Sequence, residues 1–297
     1  MQKNIPVLSV SGTTLAEAYE RALVALYKNG IPFKTQYDKP DDPLSIDSTM
    51  NITILEPLSD PMIHRAFPGG IEDLKEYVME LMGLKDHWVK NINDPNDTRW
   101  EYTYHGRLAA YGAWRELVDG TSRQKGFFSI NQIETVIDKL SKQPYTRQAQ
   151  MITWMPNLDF ECFDPPCLQS LWYRIIEDEA GTWWLNCNVR FRSNDAWGAS
   201  FMNMFGFIQF NKQIIAAGVS QKSGRQVKLG RLNWQADSYH IYGKDILTAK
   251  QLLFDRIDSI PFEERTFNFG DDFISEMYNS AEAAILEKIK NYDNAIK

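Results

Sequence analysis

Residues 182–218 read TWWLNCNVRFRSNDAWGASFMNMFGFIQFNKQIIAAG and contain the two patterns that decide the fold. Thr182 to Phe191 is rich in aromatic and β-branched side chains, a composition typical of a strand. From Asp195 to Gly218 the predicted helix is apolar around nearly its whole circumference. A helix of this kind is usually buried at the centre of a large domain. We therefore predict a core between a sheet and a long central helix.

The rest of the chain predicts more strands and helices around this centre. The predicted strands are Met50–Leu58, Gln148–Trp154, Trp172–Glu177 and Gln226–Asp237, with residues 34–48 as a loop. The predicted helices are Thr14–Lys28, Ile71–Leu84, Ile130–Lys142 with Ser129 as its cap, Ala249–Ile257 and Phe273–Ile289. Strands and helices without regular βαβ alternation indicate an α+β fold around one main mixed sheet. The chain has no repeat or linker, so we expect residues 1–297 to form one domain.

The composition limits the function classes. Hydrophobic content of 43% and aromatic content of 13% are typical of a globular protein. A net charge of −7 argues against a nucleic acid as the main partner, although it allows a local cationic pocket. The three cysteines and four histidines have no metal-ligand spacing, so no metal is expected. Since neither an apolar signal core nor a membrane-length apolar run is present, we expect a cytoplasmic protein.

One cysteine, Cys167, follows two prolines in the turn Asp164-Pro165-Pro166-Cys167. Each proline fixes φ and lacks a backbone donor, so the turn is stiff. An arginine alongside would lower the pKa of the thiol and favour the nucleophilic thiolate. The alternative is a small buried cysteine with no chemical role. A cysteine hydrolase with His240 as base is also open from chain order, although no hydrolase signature surrounds Cys167.

Arg147 and Arg192 flank the strand-rich centre and are candidate phosphate ligands. The guanidinium fork suits phosphate oxygens, and Ser193 adds a hydroxyl beside Arg192. Because Arg192 and Ser193 lie between a strand and a helix start, helix-end amides would also favour an anion there. Surface ion pairing is the alternative for either arginine. Asn194 and Asp195 are candidate caps of the helix that follows.

Four further polar residues are candidates for binding or catalysis. Asn203 lies two turns into an apolar helix, where its amide needs hydrogen-bond partners, either in the core or on the O4/N3 edge of a pyrimidine. His240 and Tyr242 alternate on one face of an extended segment and could bind a sugar hydroxyl. Glu76 lies within a helix. In a pocket its pKa would rise and suit acid–base chemistry; surface exposure is the alternative.

Taken together, these residues resemble thymidylate synthase and its sister enzymes, the pyrimidine-nucleotide hydroxymethylases. The separations of Arg147 from Cys167 and of Arg192 from Asn203 also fit this family. The Glu76-x6-Gly83 and Tyr104-x-Gly106 patterns extend the resemblance toward the N-terminus. The main matching positions are Thr146-Arg147, Trp154, Pro165-Pro166-Cys167, Arg192-Ser193-x-Asp195, Asn203 and His240-x-Tyr242.

The resemblance implies the family's α+β sandwich, which forms a homodimer through its sheet. It implies that Cys167 adds to C6 of a pyrimidine nucleoside monophosphate and that C5 then attacks the methylene group of the co-substrate 5,10-methylenetetrahydrofolate. Glu76 would organise water and proton transfers at the base, and Tyr104 would assist removal of the C5 proton. The implied binding roles are the 5′-phosphate for Arg192, Ser193 and Arg147 of the second subunit, the base for Asn203, the ribose 3′-hydroxyl for His240 and Tyr242, and the folate pterin for Asp195.

The product at C5 depends on the branch of the family. Methylation of dUMP to dTMP is the leading interpretation, because Asn203 fits uracil where the deoxycytidylate branch has aspartate. The alternative is 5-hydroxymethylation of dCMP, CMP or dUMP, in which water attacks the new methylene group. A more distant alternative is an inactive relative that binds nucleotide or RNA.

Several positions depart from the methylating branch. Leu168 replaces the histidine that usually follows the cysteine, and Gln148 replaces a second phosphate arginine. Only Lys34 or Lys39 is available for an arginine of the N-terminal loop. Trp88 or Trp100 could substitute for the tryptophans that screen the methylene group from water.

Overall fold

The computed structural model describes residues 3–90, 96–119 and 122–295. Its strands, in chain order, are β1 (Val7–Gly12), β2 (Ile31–Phe33), β3 (Ser45–Ile54), β4 (Ile63–His64), β5 (Tyr111–Asp119), β6 (Ser122–Ile130), β7 (Ala149–Ile152), β8 (Leu168–Glu177), β9 (Trp183–Asp195), β10 (Val227–Ile241) and β11 (Thr266–Phe267).

Seven of the strands in these ranges form the main sheet, in the order β1-β3-β10-β9-β8-β7 with β2 beside β3. Strands β1 and β3 are parallel, as are β9 and β10. The β3–β10, β8–β9 and β7–β8 pairs are antiparallel. The prediction of one main mixed sheet is therefore confirmed. Two small antiparallel sheets, β4 with β11 and β5 with β6, lie outside it.

Helices surround the sheet, and some are interrupted by short turns of other helical types. The α-helices are α1 (Leu15–Asn29), α2 (Ile71–Leu81), α3 (Tyr104–Ala109), α4 (Gln132–Lys142), α5 (Pro156–Asp159), α6 (Ser200–Phe210), α7 (Ala217–Ser223), α8 (Ile246–Ala249) and α9 (Asp272–Ala295). The π-helical turns are Asn211–Ala216 and Lys250–Phe254, and the 3₁₀ turns are Asp86–Trp88, Gly243–Asp245 and Phe262–Arg265. In the described part of the chain, the helices lack the combined length and apolar character that crossing a membrane requires.

The main sheet buries one face and keeps a more polar opposite face. On β9, Cys187 and Phe191 point to the buried face, whereas Asn188 and Arg190 lie on the other. The buried face packs against α6, where the Phe207 ring lies 6.4 Å from Phe191, centroid to centroid. This alternation is what a strand with one core-facing side produces. The central apolar helix is therefore in the core, as predicted.

The predicted central helix starts later and is less regular than expected. It begins at Ser200 because β9 continues to Asp195, whose carboxylate accepts hydrogen bonds from the Trp197 and Gly198 amides in the following turn. A π-helical turn at Asn211–Ala216 then separates α6 from α7. The buried Asn211 side chain in that turn accepts a hydrogen bond from Tyr173 on β8, at 2.8 Å. The uniform apolar pattern predicts one regular helix from Asp195 to Gly218. These local hydrogen bonds delay its start and interrupt it.

Other predicted boundaries were wrong as well, among them the following three. Strand β3 starts at Ser45, inside the predicted loop, because it pairs with β2 and β10. Residues 111–119 pair antiparallel with residues 122–130 as β5 and β6, which were not predicted. Ser129 therefore lies in a strand and does not cap α4. Asn131 is the cap, and its side-chain oxygen accepts from the Glu134 amide at 3.1 Å.

Candidate active site

A cavity of about 970 Å³ opens where the ends of β9 and β10 meet α2, α3 and α6. It gathers most of the predicted site residues, although they are spread over more than a hundred positions of the chain. Arg147 and Glu76 are not among the residues that line it. The predicted residues in its wall are Tyr104, Cys167, Arg192, Ser193, Asp195, Asn203, His240 and Tyr242.

Arg192 holds the turn that carries Cys167. Its Nε donates to the Pro166 carbonyl oxygen at 3.1 Å, and its Nη2 donates to the Pro165 carbonyl oxygen at 2.5 Å. The backbone amide of Arg192 donates to the Cys167 carbonyl oxygen at 2.9 Å. The planar guanidinium of Arg192 thus satisfies two carbonyl oxygens that have no strand partner in the proline turn. The half-buried thiol consequently has a fixed position in the cavity wall.

The pKa of the Cys167 thiol is raised above its ordinary value, chiefly because burial penalises the thiolate. Arg192 lowers this pKa, as predicted, and Asp164 raises it. The predicted net lowering was therefore wrong, since burial outweighs the arginine. Cys167 is a shielded thiol that must lose its proton as the sulfur attacks.

Tyr104 stands against the same turn at the start of α3. Its hydroxyl accepts a hydrogen bond from the Leu168 amide at 3.4 Å. The helix is started by Thr103, whose hydroxyl accepts from the Gly106 amide at 2.9 Å. Burial raises the pKa of Tyr104 well above its usual value, so the side chain is a neutral phenol. This neutral hydroxyl lies beside the turn that carries Cys167.

Asn203 extends from α6 into the cavity and contacts two other polar side chains. Its Oδ1 accepts from Asn194 at 3.0 Å, and its Nδ2 donates to the Tyr77 hydroxyl at 2.7 Å. Tyr77 reaches Asn203 because α2 packs closely on α6 at Gly206, where a Cβ would come within 2.6 Å of the Tyr77 ring. Tyr77 was not predicted, because nothing in the sequence of α2 distinguishes it from its neighbour Glu76.

His240 and Tyr242 lie side by side, with ring centroids 4.7 Å apart. His240 Nδ1 lies 3.2 Å from the Ser238 hydroxyl, which donates to Asp47 at 3.0 Å. That arrangement places the ring proton on Nδ1, because the Ser238 proton is already used. His240 Nε2 is buried and has no partner within the described residues. Burial lowers the pKa of His240, so the ring is neutral and offers Nε2 as an acceptor.

The loop between β2 and β3 brings cations to the cavity. Lys34 and Lys39, both considered as substitutes for a loop arginine, lie in the cavity wall, together with Lys244. The loop is held close at Gly243, where any Cβ would meet the Pro43 carbonyl oxygen at 1.8 Å. Lys244 was not predicted, although it lies two residues after Tyr242. The same loop also brings Asp38 and Asp42 to the wall, so the charges of its lysines are offset by carboxylates, and Arg192 beside Ser193 is the position best suited to an anion.

Glu76 forms ion pairs and does not line the cavity. Its carboxylate lies 2.8 Å from Lys85 and 2.8 Å from Lys288. Burial raises its pKa, but the hydrogen bonds from Lys288 and Lys85 outweigh burial and lower the pKa overall. The raised pKa that a pocket position would cause is therefore not found. One turn later, Glu80 lies 3.0 Å from the same Lys85 and lines a second cavity.

The second cavity has a volume of about 350 Å³ and adjoins the first at Tyr104 and Asp164. Trp100, Tyr102 and Glu80 form other parts of its wall. Of the two tryptophans considered in the sequence, Trp100 is therefore the one next to the site. Trp88 is instead buried against α9, where its indole nitrogen donates to Asp293 at 2.7 Å.

Arg147 and Asp195 occupy different environments. Arg147 is exposed just before β7, and its carbonyl oxygen accepts from the Trp172 indole at 3.0 Å. Asp195 lines the cavity, and burial raises its pKa above the usual range despite the Trp197 and Gly198 amides. Asp195 can accept hydrogen bonds from a ligand, whereas Arg147 reaches no part of this cavity.

In residues 3–90, 96–119 and 122–295, we find no group of three or more His, Cys, Asp or Glu side chains that could hold a metal ion. The three cysteines are unpaired. The expectation that no metal is used stays a prediction.

Comparisons with known proteins agree with the resemblance in the sequence. The thymidylate synthase family model matches residues 74–289. A "putative thymidylate synthase" of Methanocaldococcus jannaschii is 28% identical over 244 residues, which cover 80% of this chain and 91% of that protein. A protein of the same description from Methanosarcina barkeri is 26% identical over 236 residues, or 80% of this chain and 90% of that protein. Thermostable thymidylate synthase A from Bacillus subtilis has a TM-score of 0.58 at 18% identity, covering 82% of this chain and 84% of that chain, which confirms the predicted fold.

Proposed function

Because the chain belongs to the thymidylate synthase family, we propose that it transfers a one-carbon unit from 5,10-methylenetetrahydrofolate to C5 of a pyrimidine nucleoside monophosphate, converting dUMP to dTMP. The observation that carries this proposal is the position of Cys167, on a turn held by Arg192 and in one cavity with Asn203 and His240. The cavity offers one group for each part of such a nucleotide. The thiol and the Asn203 amide suit the base, Arg192 suits the phosphate and His240 suits the sugar.

The 5′-phosphate binds at Arg192 and Ser193. Arg192 has donors left after its contacts with the two proline carbonyls, and Ser193 adds a hydroxyl. Lys34 and Lys39 approach from the β2–β3 loop. Phosphate binding here would also fix the position of the Cys167 turn, because Arg192 contacts both. Binding of the nucleotide and alignment of the nucleophile would therefore be coupled.

The ribose binds beside His240 and Tyr242. The unpartnered Nε2 of the neutral His240 ring accepts a hydrogen bond from the 3′-hydroxyl. This contact would satisfy a buried acceptor that costs free energy while it is unpaired. Tyr242 lies against the His240 ring and can bind the same hydroxyl.

Cys167 acts as the nucleophile. Its sulfur loses a proton and bonds to C6, and the electrons of the C5–C6 double bond move toward C5 and the C4 carbonyl oxygen. Hydrogen bonds from Asn203 and Tyr77 to that oxygen would stabilise the developing negative charge. C5 then bonds to the methylene carbon and loses its own proton, while the two bonds from that carbon to folate nitrogens break in turn and their electrons return to nitrogen. Release of the sulfur from C6 at the end restores both the double bond and the thiol.

Proton transfers at the base involve Tyr104 and the carboxylates of α2. Tyr104 lies beside the Cys167 turn and assists removal of the C5 proton. Glu80 faces the adjoining cavity, whereas Glu76 contacts the same Lys85 from the other side. We therefore assign proton transfer to Glu80 and a positioning role to the originally predicted Glu76, acting through Lys85.

The folate co-substrate supplies the methylene carbon and, in the methylating reaction, the hydride that reduces it. The smaller cavity suits its flat ring system, because Trp100 and Tyr102 provide aromatic surface and Glu80 provides an acceptor for ring N–H groups. Asp195 in the main cavity remains the proposed pterin ligand. These side chains would orient the co-substrate next to C5 and keep water away from it.

A homodimer formed through the polar face of the main sheet would complete the site. That face carries the Arg190–Asp237 ion pair, and Arg174 Nε is buried without a hydrogen-bond partner in the described chain. Arg147 is anchored to Trp172, on the same outer face of β8, and lies outside its own cavity. Its guanidinium would reach the phosphate of the second subunit, as the family resemblance implies.

Hydroxymethylation of dCMP, CMP or dUMP is the second candidate reaction. It is favoured by Leu168 and Gln148, which replace residues usual in the methylating branch. In that reaction water attacks the exocyclic methylene group and the folate is released without oxidation. The appearance of dihydrofolate absorbance and the mass of the product distinguish the two reactions.

Tritium release from C5 tests whether the protein is an active transferase. The folded protein is incubated with methylenetetrahydrofolate and 5-tritiated dUMP, dCMP, UMP or CMP. We expect release from dUMP, with dTMP and dihydrofolate as products. Release from none of the four would contradict the proposal and favour a relative that only binds nucleotide or RNA.

A further inference from the structure

Four side chains form a hydrogen-bonded chain from the centre of the sheet to the cavity. The Trp234 indole nitrogen donates to Asn194 Oδ1 at 3.0 Å, and Asn194 Nδ2 donates to Asn203 Oδ1 at 3.0 Å. Asn203 Nδ2 then donates to the Tyr77 hydroxyl at 2.7 Å. Each step runs in the same direction, away from Trp234.

The direction of this chain follows from the chemistry of its first member. An indole nitrogen can only donate a hydrogen bond, so the Asn194 atom that faces it must be oxygen. The Asn194 amide nitrogen is then directed at Asn203, which must answer with its own oxygen. A flip of either amide would place two donors against each other. Trp234 therefore determines which way the Asn203 amide faces.

Packing keeps the first members of the chain in place. Trp234 is fully buried on β10, and its ring stacks on Phe191 with centroids 4.5 Å apart. Asn194 is 4% exposed. The Phe207 ring also lies near the indole, with ring centroids 6.0 Å apart. Rotation of the indole would break this packing, so it is a fixed donor.

We propose that Trp234 and Asn194 are positioning residues that lock the Asn203 amide in one orientation and thereby make the site select uracil over cytosine. The inference rests on the proposed function for the identity of the ligand. The orientation of the amide itself stands on the hydrogen-bond chain alone.

The locked amide presents an ordered set of groups to a base. Asn203 lines the cavity with an oxygen that can accept and a nitrogen that can donate, and the Tyr77 hydroxyl keeps its own proton to donate beside that nitrogen. Because the Tyr77 hydroxyl adjoins the Asn203 amide nitrogen, a base carbonyl that accepts from that nitrogen would also lie next to Tyr77.

Uracil matches this order, since N3–H can donate to Asn203 Oδ1 and O4 can accept from both Asn203 Nδ2 and Tyr77. Cytosine presents an amino group at C4 and an acceptor at N3, which reverses both contacts with the amide. A protein that could flip the amide would accept either base. The chain from Trp234 prevents that flip.

The decisive variant is Asn194→Asp, which is nearly isosteric. A carboxylate accepts from Trp234 with one oxygen and presents its other oxygen to Asn203, which must then turn its amide nitrogen toward Asp. The Asn203 oxygen would face Tyr77, and the order seen by the base would be inverted. We expect the ratio of Kd values for dCMP and dUMP, measured by calorimetry, to change by about 10-fold or more in favour of dCMP.

Trp234→Phe removes the fixed donor without changing the aromatic packing greatly. We expect the dCMP-to-dUMP Kd ratio to move toward one, since either amide orientation is then allowed. Trp183→Phe is the matched control, because Trp183 is also a buried tryptophan of the sheet but donates to Glu177, away from the cavity. It should keep the wild-type ratio. Equal weakening of both nucleotides in the Asn194 and Trp234 variants would overturn the proposal.

A readout without nucleotide separates this inference from the proposed function. In the wild-type protein, the Asn203 amide protons should give nuclear Overhauser effects to the Tyr77 ring. In Asn194→Asp these effects should weaken as the amide turns. If they remain unchanged, the orientation is not set by Asn194 and the inference is wrong, whatever the nucleotide affinities. If they change as expected while the wild-type protein binds no pyrimidine nucleotide, the amide lock stands, but its role in base selection and the proposed function both fail.

Discussion

Arg192 and Cys167 are joined through the backbone, since the Arg192 amide donates to the Cys167 carbonyl oxygen at 2.9 Å. The guanidinium of the same arginine holds the carbonyls of both prolines before the cysteine. The residue proposed to bind the phosphate is therefore also the support of the proposed nucleophile. Replacing its planar donor fork should therefore lower catalytic activity even when the positive charge is kept.

Arg192→Lys tests that double role. Lysine keeps the positive charge but cannot donate to two carbonyls in a fixed plane, so the Cys167 turn should loosen. We expect kcat/KM to fall by about 100-fold, because small misplacements of a reacting group can cost that much. Steady-state kinetics with dUMP would measure the loss. A change confined to KM would mean that Arg192 binds phosphate without supporting the thiol.

Asp164→Asn should lower the pKa of the Cys167 thiol. Asp164 and burial raise this pKa, whereas Arg192 lowers it, so removal of the carboxylate leaves the arginine less opposed. Alkylation of Cys167 by iodoacetamide, followed by peptide mass spectrometry across a pH series, would give the pKa in each protein. Asp138→Asn, at an exposed ion pair with Lys222, is the control and should leave the alkylation profile unchanged.

His240 should make the folded protein less stable as the pH falls below neutral. Burial lowers the pKa of its ring below the ordinary value of about 6.5, so the unfolded chain binds the proton more readily. The free energy of unfolding must then decrease as pH falls through the window between 6.5 and the folded pKa, by at most about 1.4 kcal/mol per pH unit for one group. Urea unfolding from pH 7.5 to 5.5 should show a smaller slope with pH for His240→Gln. Equal slopes in the two proteins would contradict the assignment.

Hybrid dimers test whether Arg147 acts on the second subunit. Cys167→Ser and Arg147→Ala should each be nearly inactive alone. If the arginine acts across the dimer, a hybrid of the two variants contains one site with both functional residues, and random reassortment should restore roughly a quarter of the wild-type activity. An arginine acting within its own subunit would give no recovery. Light scattering would first establish the oligomeric state.

Substituting each of the two carboxylates of α2 in turn should show which one transfers the proton. Glu80 lines the cavity beside Tyr104, so Glu80→Gln should lower kcat by about 100-fold or more. Glu76 acts through Lys85 in our proposal, and Glu76→Gln should have a smaller effect on kcat. A larger loss for Glu76→Gln would return the proton-transfer role to Glu76.

Much of the site could be predicted from the sequence because its chemistry resides in short local patterns. Pro165-Pro166-Cys167, Arg192-Ser193 and His240-x-Tyr242 each specify a turn or an alternation whose polar groups face one way, and the structure places all three in one cavity. The buried helix that carries Asn203 was equally visible, since its apolar composition requires a central position.

What the sequence could not provide depends on contacts between distant segments. Tyr77 becomes a site residue only because Gly206 lets α2 approach α6, and no periodicity within α2 distinguishes it from Glu76. The net rise in the Cys167 pKa depends on how deeply the turn is buried, which chain order does not reveal. Strand β3 likewise starts inside the predicted loop because β2 and β10 pair with it.

Covalent trapping of Cys167 is the most direct test of its attack on C6. A 5-fluoro analogue of dUMP lets sulfur add at C6 but cannot lose a proton from C5, so the reaction stops with both bonds in place. With methylenetetrahydrofolate present, we predict an increase in intact protein mass equal to nucleotide plus folate, located by peptide mapping on Cys167. An adduct on Cys162 or Cys187, or no adduct on a folded protein that binds dUMP, would contradict the account.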